Sequence, residues 1–280
     1  MIHASVLEDR AVLCLEGPQA CHFLQGLITN DVSSCSEGRA IYAALLTPQG
    51  KILFDFFVVA DAQDRLLIDC AAQRSFDLMK RLTLYRLRAN VKITARSDLA
   101  VAAIWGDDTP SKIAPGAISF SDPRHPSLGL RIIGTRDLVA SAIALCPLGN
   151  YQESRLALGI PDSADLPPDA VFALDSGLEE LNGVSFKKGC YIGQEVTARM
   201  KHRSTARRRF VLVEFAGNAP PAGTPLISED RELGVLASGI NGQALALVRL
   251  DRLAEAEGKH APISVAGREV RLKKPEWFHG

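Results

Sequence analysis

Residues 183–199 carry the side chains in this chain that could do chemistry. Two adjacent lysines are followed by Cys190 and then by the pair Gln194 and Glu195. Neighbouring cations and the positive end of a helix both favour a thiolate over a thiol. We therefore predict a loop beside a functional cleft that presents Cys190 as a functional thiol and opens a helix near Gly193. A buried, inert cysteine is the alternative.

Two acidic positions and one amide are further candidates. An acid in the first turn of a helix is stabilised by the helix dipole, so Glu195 is either a ligand-binding residue beside Gln194 or a simple helix-start residue. Asp55 interrupts a very apolar run, where alternation puts it on the same strand face as Leu53 and Phe57. That carboxylate lies either on a solvated face of a sheet or in a site.

Charge is unevenly distributed along the chain. Residues 187–209 hold eight Lys/Arg and one acid, whereas the whole chain has 32 of each and a formal net charge of zero. Arginine binds carboxylates through two hydrogen bonds, so this run could hold an anionic tail. A solvated basic linker is the alternative. A nucleic-acid patch is less favoured, because the run lacks the interleaved aromatic residues that stack on bases.

Composition narrows the class of protein. The chain has 280 residues, of which 47% are apolar and 23% charged, as is usual for a soluble globular protein. Its six cysteines form no C-x-x-C pair, which argues against a zinc site or a disulfide framework, so we predict no metal ligands. No window is apolar enough to span a membrane, and acids interrupt the N-terminus before a signal peptide could form. These features predict a cytoplasmic protein without a membrane partner.

Periodicity predicts a mixed α and β architecture. Residues 38–70 have the pattern of a β-meander, with a Thr-Pro-Gln-Gly turn at 47–50, and residues 71–87 have helical spacing. Residues 106–128 contain four prolines and little periodicity, which indicates a surface excursion. After Arg209, short apolar runs separated by Gly, Pro and Asn are typical of a small β-barrel or sandwich.

Four motifs then occur in an order that resembles the folate-binding YgfZ family. They are FLQGLITNDV (23–32), TPQGKIL (47–53), RLALGIP (155–161) and KGCYIGQE (188–195). That family is related to the aminomethyltransferase, or T-protein, of the glycine cleavage system. The eight-residue KGCYIGQE element is specific, because T-proteins lack its cysteine.

The resemblance implies an α+β, three-lobed T-protein-like fold with a central folate funnel and a C-terminal small β-barrel. The implied lobes are 1–45 plus 146–205, an inserted lobe at 46–145, and the barrel at 206–280. The implied function is a tetrahydrofolate-binding accessory protein that supports assembly or repair of iron–sulfur enzymes, including a tRNA-modifying one. Its partners would be folate and iron–sulfur client enzymes.

The resemblance also implies roles for individual residues. Asp175 lies where T-proteins carry the acid that accepts hydrogen bonds from the pterin, although the surrounding motif differs. Arg209, or its neighbour Arg208, resembles the position that holds the glutamate tail of folate. Asn30, with Asp31, would help to orient the site around Asp55; a simple turn or helix cap is the alternative. Asp55 is what remains of an acidic pair, because Phe54 replaces the other acid. With one acid lost, tetrahydrofolate-dependent aminomethyl transfer remains the alternative function and would rest on Asp55 alone. The candidate catalytic residues are thus Cys190 for the accessory function and Asp55 for the transferase.

Overall fold

The computed structural model describes residues 2–107, 116–141, 146–203 and 207–278. In these ranges the strands are β1 (Ile2–Val6), β2 (Arg10–Glu16), β3 (Ala40–Leu46), β4 (Ile52–Ala62), β5 (Arg65–Ala71), β6 (Lys92–Ala95), β7 (Leu99–Gly106), β8 (Ile118–Ser121), β9 (Leu130–Thr135), β10 (Arg208–Glu214), β11 (Pro225–Ser228), β12 (Arg231–Ile240), β13 (Gln243–Arg249), β14 (Ile263–Val265), β15 (Arg268–Glu269) and β16 (Arg271–Lys273). The helices are α1 (Ala20–Gln25), α2 (Ser75–Arg86), α3 (Arg136–Ser141), α4 (Leu148–Ala157), α5 (Gln194–His202) and α6 (Leu250–Gly258).

The predicted meander forms most of a five-stranded antiparallel sheet with the order β3-β4-β5-β2-β6. Its first hairpin closes through Gly50, whose φ of 80° suits glycine. Strand alternation sorts the side chains onto two faces. One face packs on α1 and α2 through residues such as Leu24 and Leu82, and the other contributes Tyr42 and Phe57 to a second core.

A four-stranded antiparallel sheet, in the order β1-β7-β9-β8, lies against that second face. Its edge strands were not predicted: β1 begins near the N-terminus, and β8 lies inside the segment expected to be a surface excursion. Part of that segment, 108–115, lies outside the described residues. Just after β8, Asp122 and Arg124 are buried, because both belong to an ionic network between the sheets.

The C-terminal β unit is confirmed as a seven-stranded antiparallel sheet with its own interior core. It is joined to the rest of the chain around the RLALGIP motif. Arg155 donates hydrogen bonds to Asp165 at 2.8 Å and to Ser238 of β12 at 3.0 Å. The indole N–H of Trp277 donates to the Leu158 carbonyl at 2.9 Å. Buried aromatic residues from all three sheets belong to one core cluster.

The predicted lobe bounds stay a prediction. The bound at 45/46 falls inside β3, which pairs with β4 across the Thr-Pro-Gln-Gly turn. The bound at 205/206 falls just before β10, the first strand of the C-terminal sheet.

Candidate functional site

Lys188 anchors the first half of the KGCYIGQE segment. Its ammonium donates to the carbonyls of Gln25, Ile28 and Asn30 at 2.6 to 2.9 Å, around the C-terminal end of α1. Burial lowers the pKa of Lys188 to about 8. The ammonium is therefore committed to carbonyls around the end of α1, whereas the neighbouring Lys187 is exposed.

Gly193 anchors the second half of the segment. It has a φ of 81° and precedes α5. A Cβ at this position would lie 2.6 Å from the Thr47 carbonyl oxygen, so the start of α5 is packed directly on the β3–β4 turn. Gly50 faces it, because a Cβ there would lie 3.0 Å from the Val196 side chain. The TPQGKIL and KGCYIGQE motifs thus each supply a glycine to the same contact. The predicted start of a helix at Gly193 is correct.

Between these anchors the Cys190 side chain is exposed. Tyr191, the next residue, is 7% exposed and contacts Lys188 through its ring at 5.2 Å. Cys21 is also exposed as a residue, but partial burial of its thiol raises the pKa of that group. Cys190 is thus an accessible thiol on a short loop fixed at both ends.

Asp175 lies in the wall of a cavity of about 530 Å³. Its Oδ1 accepts hydrogen bonds from the backbone N–H groups of Arg207 and Arg208 at 3.1 and 3.3 Å. Its Oδ2 has no hydrogen-bond partner among the described residues. Burial raises the pKa of Asp175, whereas the two backbone hydrogen bonds act to lower it. The cavity walls are Lys51, Ala170, Phe172, Asp175, Val196, Met200, Arg207, Arg208 and Arg249.

Of the two arginines weighed for an anionic tail, the structure places Arg208, not Arg209, at this cavity. The Arg209 guanidinium is 3.1 Å from Glu180 and lies over the Phe278 ring at 5.4 Å. Successive residues of a strand point to opposite faces, and β10 begins at Arg208, so the neighbouring side chains diverge. The guanidinium groups of Arg207 and Arg208 have no salt-bridge partner within the described ranges.

The other predicted ligand-binding residues have different surroundings. The Asn30 amide donates to the carbonyls of Tyr42 and Asn182 at 2.8 and 2.7 Å, which ties two loops together. Glu195 points to solvent, where its carboxylate pairs with Arg199 at 2.7 Å. Gln194 is half-buried at the start of α5. None of the three is among the described residues that line the Asp175 cavity.

Asp55 does not lie on a solvated face of the sheet. It is 5% exposed, and its Oδ2 accepts a hydrogen bond from the Tyr42 hydroxyl at 3.1 Å. Burial and the neighbouring Asp162 carboxylate raise its pKa, against the effect of Arg10. It belongs to a buried network between the two N-terminal sheets whose members include Arg10, Asp69, Asp122, Arg124, Arg131, Tyr151 and Asp162.

Sequence reasoning missed several walls of the cavity. Lys51 directly follows the hairpin glycine, and Met200 lies one helical turn after Val196, so both could have been found by extending the motifs into the elements they open. Arg249 ends β13 opposite Arg208, and only the strand register shows this.

Among the described residues there is no group of three or more His, Cys, Asp or Glu side chains arranged to hold a metal ion. In the same ranges, no helix has the length and apolar character needed to cross a membrane.

Comparison with known proteins agrees with this fold. Residues 10–115 match the model of the GCVT N-terminal domain, and residues 207–280 match that of the CAF17 C-terminal β-barrel domain. The structure is similar to the glycine cleavage system aminomethyltransferase T of Bartonella henselae, with a TM-score of 0.76, 16% identity, and coverage of 97% of this chain and 84% of that one. The predicted aminomethyltransferase-like fold with a C-terminal barrel is confirmed.

Sequence relatives decide the family. The mitochondrial iron–sulfur cluster assembly factor IBA57 of Homo sapiens is 32% identical over 303 residues, which cover 97% of this chain and 84% of the human protein. The chain belongs to the IBA57 family. The mouse IBA57 protein is 30% identical with the same coverage, and the Neurospora crassa homologue is 30% identical over 88% of this chain and 64% of its own length.

The relatives correct one prediction. The human, mouse and Neurospora IBA57 proteins are all named as mitochondrial. The predicted cytoplasmic location is therefore contradicted. It was inferred from the unpaired cysteines, and the acids near the N-terminus argue only against a secretory signal peptide.

Proposed function

We propose that this chain is an accessory factor in iron–sulfur cluster assembly, which presents Cys190 to cluster-carrying partners and binds tetrahydrofolate at the Asp175 cavity. The observation that carries the proposal is the exposed Cys190 thiol, held between the Lys188 and Gly193 anchors in a member of the IBA57 family. The YgfZ resemblance extends the proposal to clients that modify tRNA.

The chemistry of the loop suits transient contact with a cluster. Cysteine thiolates are the usual ligands of iron–sulfur clusters, and a bound cluster needs about four such ligands. Cys190 supplies one sulfur ligand, and the described residues contain no metal-holding cluster of side chains around it. A partner would supply the remaining ligands, so the cluster is cargo that passes this thiol.

The Asp175 cavity fits a folate in size and chemistry. Its volume lies in the usual range for small-molecule sites, and Phe172 and Met200 offer apolar walls. Among the described residues, Oδ2 of Asp175 and the guanidinium groups of Arg207 and Arg208 have no partner. Oδ2 could accept a hydrogen bond from a pterin ring, while the two guanidinium groups could bind the glutamate carboxylates. Reduced folate, when bound, would supply one-carbon chemistry. The residues themselves bind and orient it.

The thiol is tested in cells that lack the gene. We expect Cys190→Ser to fail to restore the activity of [4Fe–4S] enzymes, because serine does not replace a thiolate ligand. Cys21→Ser is the matched control, since it alters the other exposed cysteine and should restore activity fully. Full rescue by Cys190→Ser at equal protein level would exclude the thiol from the mechanism.

Folate binding is tested by calorimetric titration with 5-formyltetrahydrofolate, a stable reduced folate. Asp175→Asn keeps an acceptor for the backbone of β10 but lacks the carboxylate, and Arg208→Ala lacks one tail contact. Each should weaken binding about tenfold or more, as expected for a charge-assisted hydrogen bond. Arg199→Ala is the control, because that side chain pairs with Glu195 in solvent. Equal affinity in the wild type and all three variants would mean that folate does not bind at the Asp175 cavity.

Aminomethyl transfer is the second candidate, favoured by the similarity of fold. The surroundings of Asp55 argue against it, because this carboxylate is only 5% exposed and already accepts a hydrogen bond from the Tyr42 hydroxyl. Purified protein supplied with tetrahydrofolate and an aminomethyl donor should therefore form no methylene-tetrahydrofolate. If the protein forms methylene-tetrahydrofolate and Asp55→Asn abolishes this activity, aminomethyl transfer becomes the preferred function.

A further inference from the structure

The outer face of α2 carries an apolar stripe that core packing does not explain. Phe76, Leu84 and Leu87 are 68%, 63% and 87% exposed. Phe76 and Leu84 are eight residues apart and therefore lie on one side of the helix, and Leu87 follows directly after its last residue, Arg86. We call these three residues the α2 stripe.

The same helix already has a complete inner face. Leu78 and Leu82 are fully buried against the five-stranded sheet, with Met79 and Tyr85 packed beside them. A surface helix normally has one apolar face and one polar face. Large apolar side chains on both sides indicate that the outer side is covered by something in the functional state.

The end of the helix supports this interpretation. Leu87 follows α2 with a φ of 45°, a backbone conformation that is unfavourable for a branched side chain and suits glycine. Such strain is found at functional sites more often than elsewhere. Folding alone would favour glycine at this position, so the leucine side chain needs another reason to be there.

Charge indicates what covers the stripe. Lys80, Arg81 and Arg88 are exposed beside it without salt-bridge partners among the described residues, and Asp77 is the acid on this helix. A neutral apolar surface would leave these cations unpaired at the edge of the contact, whereas a carboxylate rim would pair with them.

We propose that the α2 stripe docks into a hydrophobic groove of a partner protein whose rim carries aspartate and glutamate side chains. Phe76, Leu84 and Leu87 are the anchors, in the manner of a helix lying in a groove. Lys80, Arg81 and Arg88 set the orientation through the acidic rim. This surface is independent of Cys190 and of the Asp175 cavity.

The experiment begins with photo-cross-linking in cells. The full chain carries p-benzoylphenylalanine in place of Leu84, or in place of Val235 as the control, an apolar position on the C-terminal sheet that is 36% exposed. The adduct specific to position 84 identifies the partner, which is then purified and titrated with the full-length protein. We expect Phe76→Ser/Leu84→Ser to weaken binding at least tenfold, and Val235→Ser to leave it unchanged.

Two further variants separate docking from folding. Lys80→Glu/Arg81→Glu should weaken binding, and reversing an acid on the groove rim of the partner should restore it. Leu87→Gly relieves the backbone strain, so it should raise the melting temperature while it weakens the complex. A stabilised variant that binds like wild type would overturn the role of Leu87 and the proposal with it.

Other occupants of the stripe give distinct results, and each would overturn the proposal. A cross-link between two copies of this chain, with a dimer in light scattering that Phe76→Ser/Leu84→Ser dissolves, would assign the stripe to self-association. Sedimentation with phosphatidylglycerol vesicles, lost in the same variant, would assign it to a membrane surface. Absence of any adduct at position 84 would leave the stripe without an occupant.

Discussion

The Lys188 ammonium stands where water or a capping group would otherwise satisfy three carbonyls around the end of α1. A cation is also favoured there by the helix dipole. Burial of the Lys188 ammonium costs free energy, because it disfavours the charged form and lowers the pKa of this group to about 8.

Lys188→Met should make the protein less stable by about 2 kcal/mol at neutral pH, because the carbonyls lose their donor. The folded pKa of about 8 lies below the usual value of 10.5, so between these values the unfolded chain binds more protons. Stability contributed by Lys188 therefore rises with pH in that window. Urea unfolding of both proteins at several pH values should show a difference that grows above pH 8. A pH-independent difference would contradict the lowered pKa.

At the residue scale, some of the predicted ligand-binding residues share one cavity and others do not, and their role in binding stays a prediction. Asp175 and Arg208 line the cavity, as the resemblance suggested for an acid and one of two arginines. Arg209 and Glu195 do not line it, because strand alternation and helix phase turn them toward Glu180 and solvent. Asp55 could not be placed from sequence, since its arginine neighbours come from distant parts of the chain.

At the scale of elements, the start of α5 and the β3–β4 turn form one close contact. Gly193 has no room for a side chain because backbone and side-chain atoms of the turn lie at 2.6 to 3.2 Å from the position of a Cβ. Gly189, four residues earlier in the same motif, would meet nothing within 4 Å. The two glycines therefore differ in their reason for being present.

Gly193→Ala should cost about 3 kcal/mol of unfolding free energy, through its positive φ and the clash with the Thr47 carbonyl. Gly189→Ala is the matched control and should change stability by less than about 0.5 kcal/mol. Chemical denaturation of both variants measures the difference. If Gly193→Ala and Gly189→Ala changed stability equally, the contact between α5 and the β3–β4 turn would not be as close as described.

Elements with strong local signals were predictable, including the β3–β4–β5 meander, α2 and the start of α5. The edge strands of the four-stranded sheet were not, because β1 and β8 are short and β1 pairs with β7, which is far away in sequence. Proline-rich sequence around β8 indicated a loop, and tertiary pairing overrode that local preference.

At the scale of the whole molecule, Arg155 joins the C-terminal sheet to the remainder of the chain. It is 1% exposed, and it connects Ile160 and Asp165 to Ser238. Asp165 also accepts from the Ser238 backbone at 2.7 Å, so both charges of the pair lie at the junction.

Arg155→Met should destabilise the protein by about 3–5 kcal/mol, because it leaves the Asp165 carboxylate buried without its cation. It should also separate unfolding of the C-terminal sheet from that of the remainder, visible as two calorimetric transitions. Arg199→Ala, which breaks an exposed ion pair, should cost less than about 1 kcal/mol. A single transition of unchanged midpoint in Arg155→Met would contradict this role.

The ionic network between the two N-terminal sheets should control acid stability. Burial acts to raise the pKa of Asp122, but Arg124 and Arg131 outweigh it and hold the pKa below its usual value of 3.8. Its stabilisation is therefore present above that pH and lost as the pH falls further. In Asp122→Asn, stability should be lower at pH 7 but should decline less steeply below pH 4 in an acid titration followed by circular dichroism. If the acid-unfolding curves of wild type and Asp122→Asn run parallel, Asp122 is not a main titrating group in acid unfolding.

The double anchoring of the Cys190 loop has a practical consequence. A nitroxide or fluorescent dye attached to this thiol would be only two residues from tethered Lys188 and three from close-packed Gly193. It should therefore report the tumbling of the entire molecule. On a Cys21→Ser background, the same label would slow measurably when a partner of comparable mass docks on any face, including one far from the thiol.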